Sequence, residues 1–177
     1  MIMAVRKILV VIDMQNDFID GSLGTKEAVG IVKKAAAEIR KYKPENIFAT
    51  RDTHPADYLK TAEGKKLPVV HCVKGSKGWE INPEIARALK GAEITDKPTF
   101  GSVKLARKLK KISDQEKIDI TVIGLCTDIC VVSNALLFKA EMPEVPIHVM
   151  ESCCAGVTPE SHTAALSTMR MCQIDVR

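Results

Sequence analysis

The chain has 177 residues, of which 46% are hydrophobic, so it can bury one substantial core but not two. We therefore expect a single domain over residues 1–177. Lysine and arginine total 26 and the acids total 22, for a net charge of +4, and only 4% of the residues are aromatic. Because both charges are spread along the chain and aromatic residues are few, the composition argues against a nucleic-acid-binding surface.

The first apolar run reaches an acid at Asp13 without a small-residue cleavage site, which predicts a strand and not a signal peptide. No apolar stretch approaches the length that spans a bilayer. A chain of this size does not need disulfides for stability, so its six cysteines favour a reducing compartment. We expect a cytoplasmic homo-oligomer with no nucleic-acid or membrane partner.

Apolar runs that predict strands alternate with segments of helical periodicity. The predicted strands are KILVVID (7–13), NIFATRD (46–52), LPVVHCV (67–73), ITVIG (120–124), PIHVMES (146–152) and CQIDV (172–176). The predicted helices are TKEAVGIVKKAAAEIRKY (25–42), GSVKLARKLKKI (101–112), DICVVSNALLFKAEM (128–142) and PESHTAALSTMRM (159–171). This alternation predicts an α/β fold, a three-layer, doubly wound, mostly parallel sheet of about six strands with helices on both faces.

Acids, bases and thiols follow the predicted strands. Singly, each has an ordinary structural explanation, as a turn residue or as a small buried side chain. The carboxyl ends of parallel strands lie at one edge of a sheet, however, so these side chains should converge there and form a functional site. They are Asp13, Asp52, His54, His71, Cys72, Cys126 and Cys130.

Three stretches resemble the isochorismatase-like cysteine hydrolases, and the resemblance covers almost the whole chain. They are VVIDMQNDF (10–18), KPTFGS (97–102) and GLCTDICVVSNA (124–135). The resemblance implies a catalytic triad of Asp13, Lys97 and Cys130. It also implies a cis peptide bond between Leu125 and Cys126, which directs the backbone N–H groups of Cys126 and Cys130 toward the oxyanion.

The three residue types of this triad suit amide hydrolysis. A thiol attacks as the thiolate, and we expect the pKa of Cys130 to fall because a helix begins near it and Lys97 supplies a cation. Asp13 would take the thiol proton and return it to the leaving amine or ammonia, leaving a thioester that water hydrolyses. The remaining cysteines after this motif are expected to pack in the core; they are Cys153, Cys154 and Cys172.

A second constellation lies in RDTHPADYLKTAEGKKLPVVHCVKG (51–75). Asp52, His54 and His71 offer carboxylate and imidazole ligands suited to Zn²⁺, or to another divalent metal such as Mn²⁺ or Fe²⁺, with positions open for water or substrate. The D-x-H and H-C-V pattern resembles the nicotinamidase (pyrazinamidase) branch of the family, whereas isochorismatases that cleave a vinyl ether generally lack it. Glu63 is similar in placement to an additional acidic ligand of some nicotinamidases.

The resemblance implies a metal-dependent amidohydrolase of NAD salvage that converts nicotinamide to nicotinate and ammonia. Nicotinamidases commonly have Trp-Pro before the last metal histidine, where this chain has Leu67-Pro68. We expect Phe18, Leu67 and Phe100 to line the substrate pocket, with Phe18, Phe100 or Trp79 replacing the missing aromatic wall. Two alternatives remain: a related hydrolase of another small amide or ureido compound, and a non-catalytic module that binds a small molecule.

Overall fold

The computed structural model describes residues 5–177, so Met1 to Ala4 of the expected single domain lie outside the described residues. Six parallel strands form the sheet of this part of the chain, in the order β3-β2-β1-β4-β5-β6. They are β1 (Arg6–Ile12), β2 (Ile47–Asp52), β3 (Glu93–Lys97), β4 (Ile118–Leu125), β5 (Ile147–Ala155) and β6 (Asp175–Val176). The predicted α/β architecture is confirmed.

Helices cover both faces of the sheet. The α-helices are α1 (Asn16–Ile19), α2 (Lys26–Ile39), α3 (Ala62–Lys66), α4 (Pro83–Ala88), α5 (Val103–Ser113), α6 (Val132–Glu141) and α7 (Pro159–Met171), with a π-helical turn (Thr127–Val131) directly before α6 and short 3₁₀ turns at Pro44–Asn46 and Tyr58–Lys60. The two longest helices begin at threonine caps: Thr25 accepts a hydrogen bond from the N–H of Ala28, and Thr158 accepts one from that of Ser161. Within residues 5–177, no helix has both the length and the hydropathy needed to cross a membrane.

The alternating side chains of β1 divide the core into two layers. Leu9 and Val11 pack with α2 and α4 on one face, whereas Ile8, Val10 and Ile12 pack with α5, α6 and α7 on the other. Because both faces are buried, the strand appears in the sequence as a continuous apolar run. The strand order reverses between β1 and β4, and in such sheets the crevice at this reversal, beyond the carboxyl ends of the strands, is where ligands bind.

The predicted strand at residues 67–73 is wrong. This segment is irregular, and its only ladder contact among the described residues is an isolated bridge between Val73 and His54. The strand that pairs with β2 is instead β3 (Glu93–Lys97), an edge strand in which the buried side chains are Thr95 and Lys97. Because these buried positions are polar and Ile94 is exposed, β3 lacks the apolar run of a buried strand.

One expectation about the cysteines also needs correction. All six are free thiols, and Cys153 and Cys154 are buried as expected. Cys172 is exposed: it follows the last residue of α7, at the surface end of the helix, and its backbone N–H caps the helix. It therefore does not contribute to the core.

Candidate active site

Asp13 lies directly after β1, with a left-handed backbone (φ 45°) that aspartate tolerates better than most residues. Its side chain is completely buried. One carboxylate oxygen accepts a 2.7 Å hydrogen bond from the Thr50 hydroxyl, and the other lies 2.6 Å from the Lys97 ammonium. Burial raises the pKa of Asp13, and the charge of Lys97 opposes this rise.

Lys97, the last residue of β3, lies at the centre of the site. Its buried Nζ lies 2.6 Å from Asp13 Oδ2, 3.3 Å from Asp52 Oδ1 and 3.3 Å from Cys130 Sγ, and it donates to the Thr99 carbonyl at 3.1 Å. Burial disfavours the charged form, but the two carboxylates and the thiol around it raise the pKa of Lys97 above its usual range. Lys97 is therefore protonated and places a fixed positive charge among these groups.

Cys130 lies in the π-helical turn that follows β4 and the cis peptide bond between Leu125 and Cys126. Its thiol is buried, and burial together with the nearby Asp13 raises its pKa well above the usual value, despite the opposing charge of Lys97. The structure thus reverses the expectation of a lowered pKa at Cys130, because desolvation of the thiolate outweighs the cation. The resting Cys130 thiol is therefore neutral, and it would need a base before it could attack as a thiolate.

Cys126 lines the same cavity as Cys130 but is in a different electrostatic setting. Burial and the negative charge of Asp128 raise the pKa of Cys126 to about 12. No hydrogen bond from Lys97 reaches this sulfur in the described part of the chain, where the ammonium contacts Cys130. Of the two thiols, Cys130 alone lies against both a cation and an acid.

Asp52, His54 and His71 converge beside this group, with their ligand atoms all within 4.8 Å of one another. His54 Nε2 lies 2.8 Å, and His71 Nε2 3.8 Å, from Asp52 Oδ2. His71 Nδ1 lies 2.8 Å from the Val69 carbonyl. When Nδ1 carries the proton and donates it to this carbonyl, Nε2 keeps a free lone pair with which it can ligate a metal. Asp52 joins the two groups, since its other oxygen faces Lys97.

These residues fit a divalent metal. His54 Nε2 is buried and, among residues 5–177, has no hydrogen-bond partner with acceptable geometry, even though the Asp52 carboxylate is close. A metal would satisfy this nitrogen, and one carboxylate with two imidazoles is a donor set that suits Zn²⁺ and related ions. Glu63 borders the triad, with Oε1 3.7 Å from His54 Nε2 and 3.8 Å from His71 Nε2.

A cavity of about 430 Å³ opens onto both groups. Its lining includes the three residues predicted for the substrate pocket, Phe18, Leu67 and Phe100, together with the Cys130 thiol. Trp79 lies outside the cavity: its indole N–H donates to the Thr53 hydroxyl, and the Arg51 guanidinium lies 3.4 Å from its ring centroid. It therefore anchors its own loop and does not replace a pocket wall.

Sequence reasoning missed three polar residues that support the site. Thr50 holds Asp13, Asn134 donates to the Cys130 carbonyl, and Gln15 binds the backbone of Asp52. Thr50 looks like any threonine in a strand, so no pattern could have identified it. Gln15 offered a signal, because it lies within VVIDMQNDF, two residues after Asp13.

Comparison with known proteins agrees with this geometry. The isochorismatase domain family matches residues 7–177. The nicotinamidase/pyrazinamidase of Mycobacterium tuberculosis is 28% identical over 183 residues, covering 95% of this chain and 96% of the relative.

Two solved structures share the fold over nearly their whole length. The pyrazinamidase of Pyrococcus horikoshii in complex with zinc has a TM-score of 0.78 and 26% identity, covering 97% of this chain and 98% of that one. The N-carbamoylsarcosine amidase of Thermoplasma acidophilum has a TM-score of 0.74 and 27% identity, covering 98% and 96%. Because the family match spans nearly every residue, this chain belongs to the isochorismatase family.

Proposed function

We propose that this protein is a cysteine amidohydrolase that converts nicotinamide to nicotinate and ammonia. The observation that carries the proposal is the placement of the Lys97 ammonium against both the Asp13 carboxylate and the Cys130 thiol. Cys130 lines a cavity that is also lined by Asp52 and His71, two of the three residues of the candidate metal cluster. The similarity to a nicotinamidase/pyrazinamidase over almost the whole chain supports the choice of substrate.

In the first half of the reaction, Asp13 takes the proton of the Cys130 thiol while the sulfur attacks the carboxamide carbon. A base is needed because the thiol is neutral at rest, and the raised pKa of Asp13 suits it to accept and release a proton. The backbone N–H groups of Cys126 and Cys130 would bind the carbonyl oxygen as it becomes negative. Asp13 then gives the proton to the leaving nitrogen, which departs as ammonia.

The second half of the reaction hydrolyses the Cys130 thioester. Asp13 takes a proton from water, the resulting hydroxide attacks the acyl carbon, and the thiolate leaves with the proton returned by Asp13. The net reaction consumes one amide and one water and yields one acid and one ammonia. Lys97 stays protonated throughout and keeps the acid and the sulfur in position.

The Asp52, His54 and His71 cluster would hold a divalent metal, with Zn²⁺ as the first candidate and Mn²⁺ or Fe²⁺ as the others. A metal held by these residues would supply a Lewis acid that a pyridine nitrogen could ligate. Phe18, Leu67 and Phe100 would enclose the ring, and Glu63 borders the cluster as a further candidate ligand.

A related hydrolase of another small amide or ureido compound is the second candidate. It is supported by the comparable similarity to an N-carbamoylsarcosine amidase and by Leu67, which stands where nicotinamidases commonly have tryptophan. A non-catalytic binding module is a weaker explanation, because it gives no reason to bury a lysine between an acid and a thiol. We further propose that the protein is a cytoplasmic homo-oligomer, that it takes part in NAD salvage, and that it has no nucleic-acid or membrane partner.

The test is ammonia release by the zinc-loaded protein from nicotinamide, pyrazinamide, benzamide and an N-carbamoyl amino acid. We expect turnover of the first two, and a kcat/KM for benzamide that is lower by about 10²-fold or more, because a site built for a polar contact rejects an analogue that lacks it. Equal rates on benzamide and nicotinamide would contradict recognition of the ring nitrogen. Turnover of the N-carbamoyl compound alone would establish the second candidate.

A further inference from the structure

Gln15 is a buried polar residue that lies outside the cavity, between β1 and α1. Its side-chain amide makes three hydrogen bonds. Nε2 donates to the Asp52 carbonyl at 2.8 Å and to the Trp79 carbonyl at 2.9 Å, and Oε1 accepts from the Asp52 N–H at 2.7 Å. One amide thus binds both backbone polar groups of Asp52.

These bonds take the place of a missing strand partner. The pairing of β1 with β2 ends at Val11 and Ala49, and the last ladder contact beyond it is the 3.3 Å bond from the Asp13 N–H to the Thr50 carbonyl. Asp52 comes two residues later, where the chain of β1 has already turned away. Its N–H and C=O are buried and would be unpaired without a substitute, which the Gln15 amide supplies.

The position of Asp52 is critical because its carboxylate faces both parts of the site. Oδ1 lies 3.3 Å from Lys97 Nζ, and Oδ2 lies 2.8 Å from His54 Nε2. A shift of the Asp52 backbone would move both oxygens together. The bond from Gln15 to Trp79 also ties this strand end to the loop that follows His71.

We propose that Gln15 is a positioning residue for the metal site, acting through Asp52. It holds the end of β2 in register so that the Asp52 carboxylate reaches the two histidines. The inference rests on the proposed binding of a divalent metal by Asp52, His54 and His71.

Asn134 provides a matched control. It is as fully buried as Gln15 and also makes three amide hydrogen bonds, donating to the carbonyls of Cys130 at 2.8 Å and Phe100 at 3.0 Å and accepting from the N–H of Ser102 at 2.9 Å. None of these partners belongs to the metal cluster. Loss of the Asn134 amide therefore reproduces the loss of a buried polar group without touching Asp52.

The experiment measures Zn²⁺ affinity by competition with a chromophoric chelator, using metal-free wild type, Gln15→Met, Gln15→Glu and Asn134→Leu. We expect Gln15→Met to raise the Kd for zinc by about 10- to 100-fold, the usual effect of losing a residue that orients a ligand. Gln15→Glu keeps the acceptor for the Asp52 N–H but loses the donor, so it should also bind zinc more weakly. Asn134→Leu should keep the wild-type Kd, and thermal unfolding of each metal-free variant reports any general loss of stability.

A wild-type Kd in Gln15→Met, or an equal loss of affinity in Gln15→Met and Asn134→Leu, would overturn the positioning role while leaving the proposed function intact. If Gln15→Met does not fold, the comparison of Gln15→Glu with Asn134→Leu decides in the same way. A wild-type protein that binds no zinc would instead remove the metal site, and the positioning role with it.

Discussion

Lys97→Met should destabilise the protein strongly, because it removes the cation from between two buried carboxylates. Asp13 is 0% and Asp52 3% exposed, and in the described part of the chain Asp13 makes its only ion pair with Lys97, at 2.6 Å. Removing one partner of a buried pair typically costs about 3–5 kcal/mol, since the other charge stays buried and uncompensated. That is a large part of a total stability of about 5–15 kcal/mol.

The double variant Asp13→Asn/Lys97→Met separates this charge effect from lost packing. It removes both charges, so its free energy of unfolding should lie above the value obtained by adding the two single losses, by about 1–3 kcal/mol. The penalty in Lys97→Met should also grow as the pH rises. Burial raises the pKa of Asp13, and in Lys97→Met the charge that opposes this rise is gone, so the pKa should rise further. At acid pH the folded variant can therefore keep Asp13 neutral. As the pH rises, Asp13 must ionise while buried, and the free energy of unfolding falls.

The assay is urea unfolding followed by far-UV circular dichroism, on the wild type, both single variants and the double variant. Lys104→Met replaces an exposed lysine and should change the free energy of unfolding by no more than about 0.5 kcal/mol. A loss of less than about 1 kcal/mol in Lys97→Met, or strict additivity of the two single losses, would show that Lys97 does not compensate a buried charge.

Two further predictions concern the thiols and the metal ligands. Cys130→Ala should abolish ammonia release while the circular dichroism spectrum stays unchanged. Cys126→Ala should retain a measurable rate, because Cys126 would act through its backbone N–H and not its thiol. The reverse pattern would assign the nucleophile to Cys126. His54→Ala and His71→Ala should each release the metal, measured by elemental analysis of the purified protein, while His162→Ala, outside the cluster, keeps it. Full metal occupancy in all three variants would place the metal elsewhere.

Most of the fold could be predicted because its elements carry simple apolar periodicities. β1 and β4 are buried on both faces, and α2 and α7 have threonine caps before repeating apolar positions. The edge strand β3 escaped prediction because its buried positions are polar. Residues 67–73 were predicted to form a strand because most of them are apolar, yet Leu67 and Val70 are exposed.

The site was predictable as a set of residues but not as a set of interactions. Asp13, Lys97 and Cys130 were assigned by resemblance. In the structure, the Lys97 ammonium contacts both the Asp13 carboxylate and the Cys130 thiol. The direction of the Cys130 pKa was not predictable, since it depends on the balance between burial and nearby charges. The role of Gln15 arises because β2 continues to Asp52, beyond the last residue that pairs with β1, Ala49. No pattern of residues in the sequence shows where this pairing ends.

Cys130 should form an acyl intermediate with nicotinamide, and this intermediate can be trapped. The zinc-loaded protein would be quenched in acid during turnover and its peptides analysed by mass spectrometry, with a parallel reaction containing hydroxylamine as a competing nucleophile. We expect a nicotinoyl group on the peptide that carries Cys130, or nicotinohydroxamate in the parallel reaction. Formation of nicotinate at the full rate with neither product would exclude the thioester, because water would then attack the amide directly.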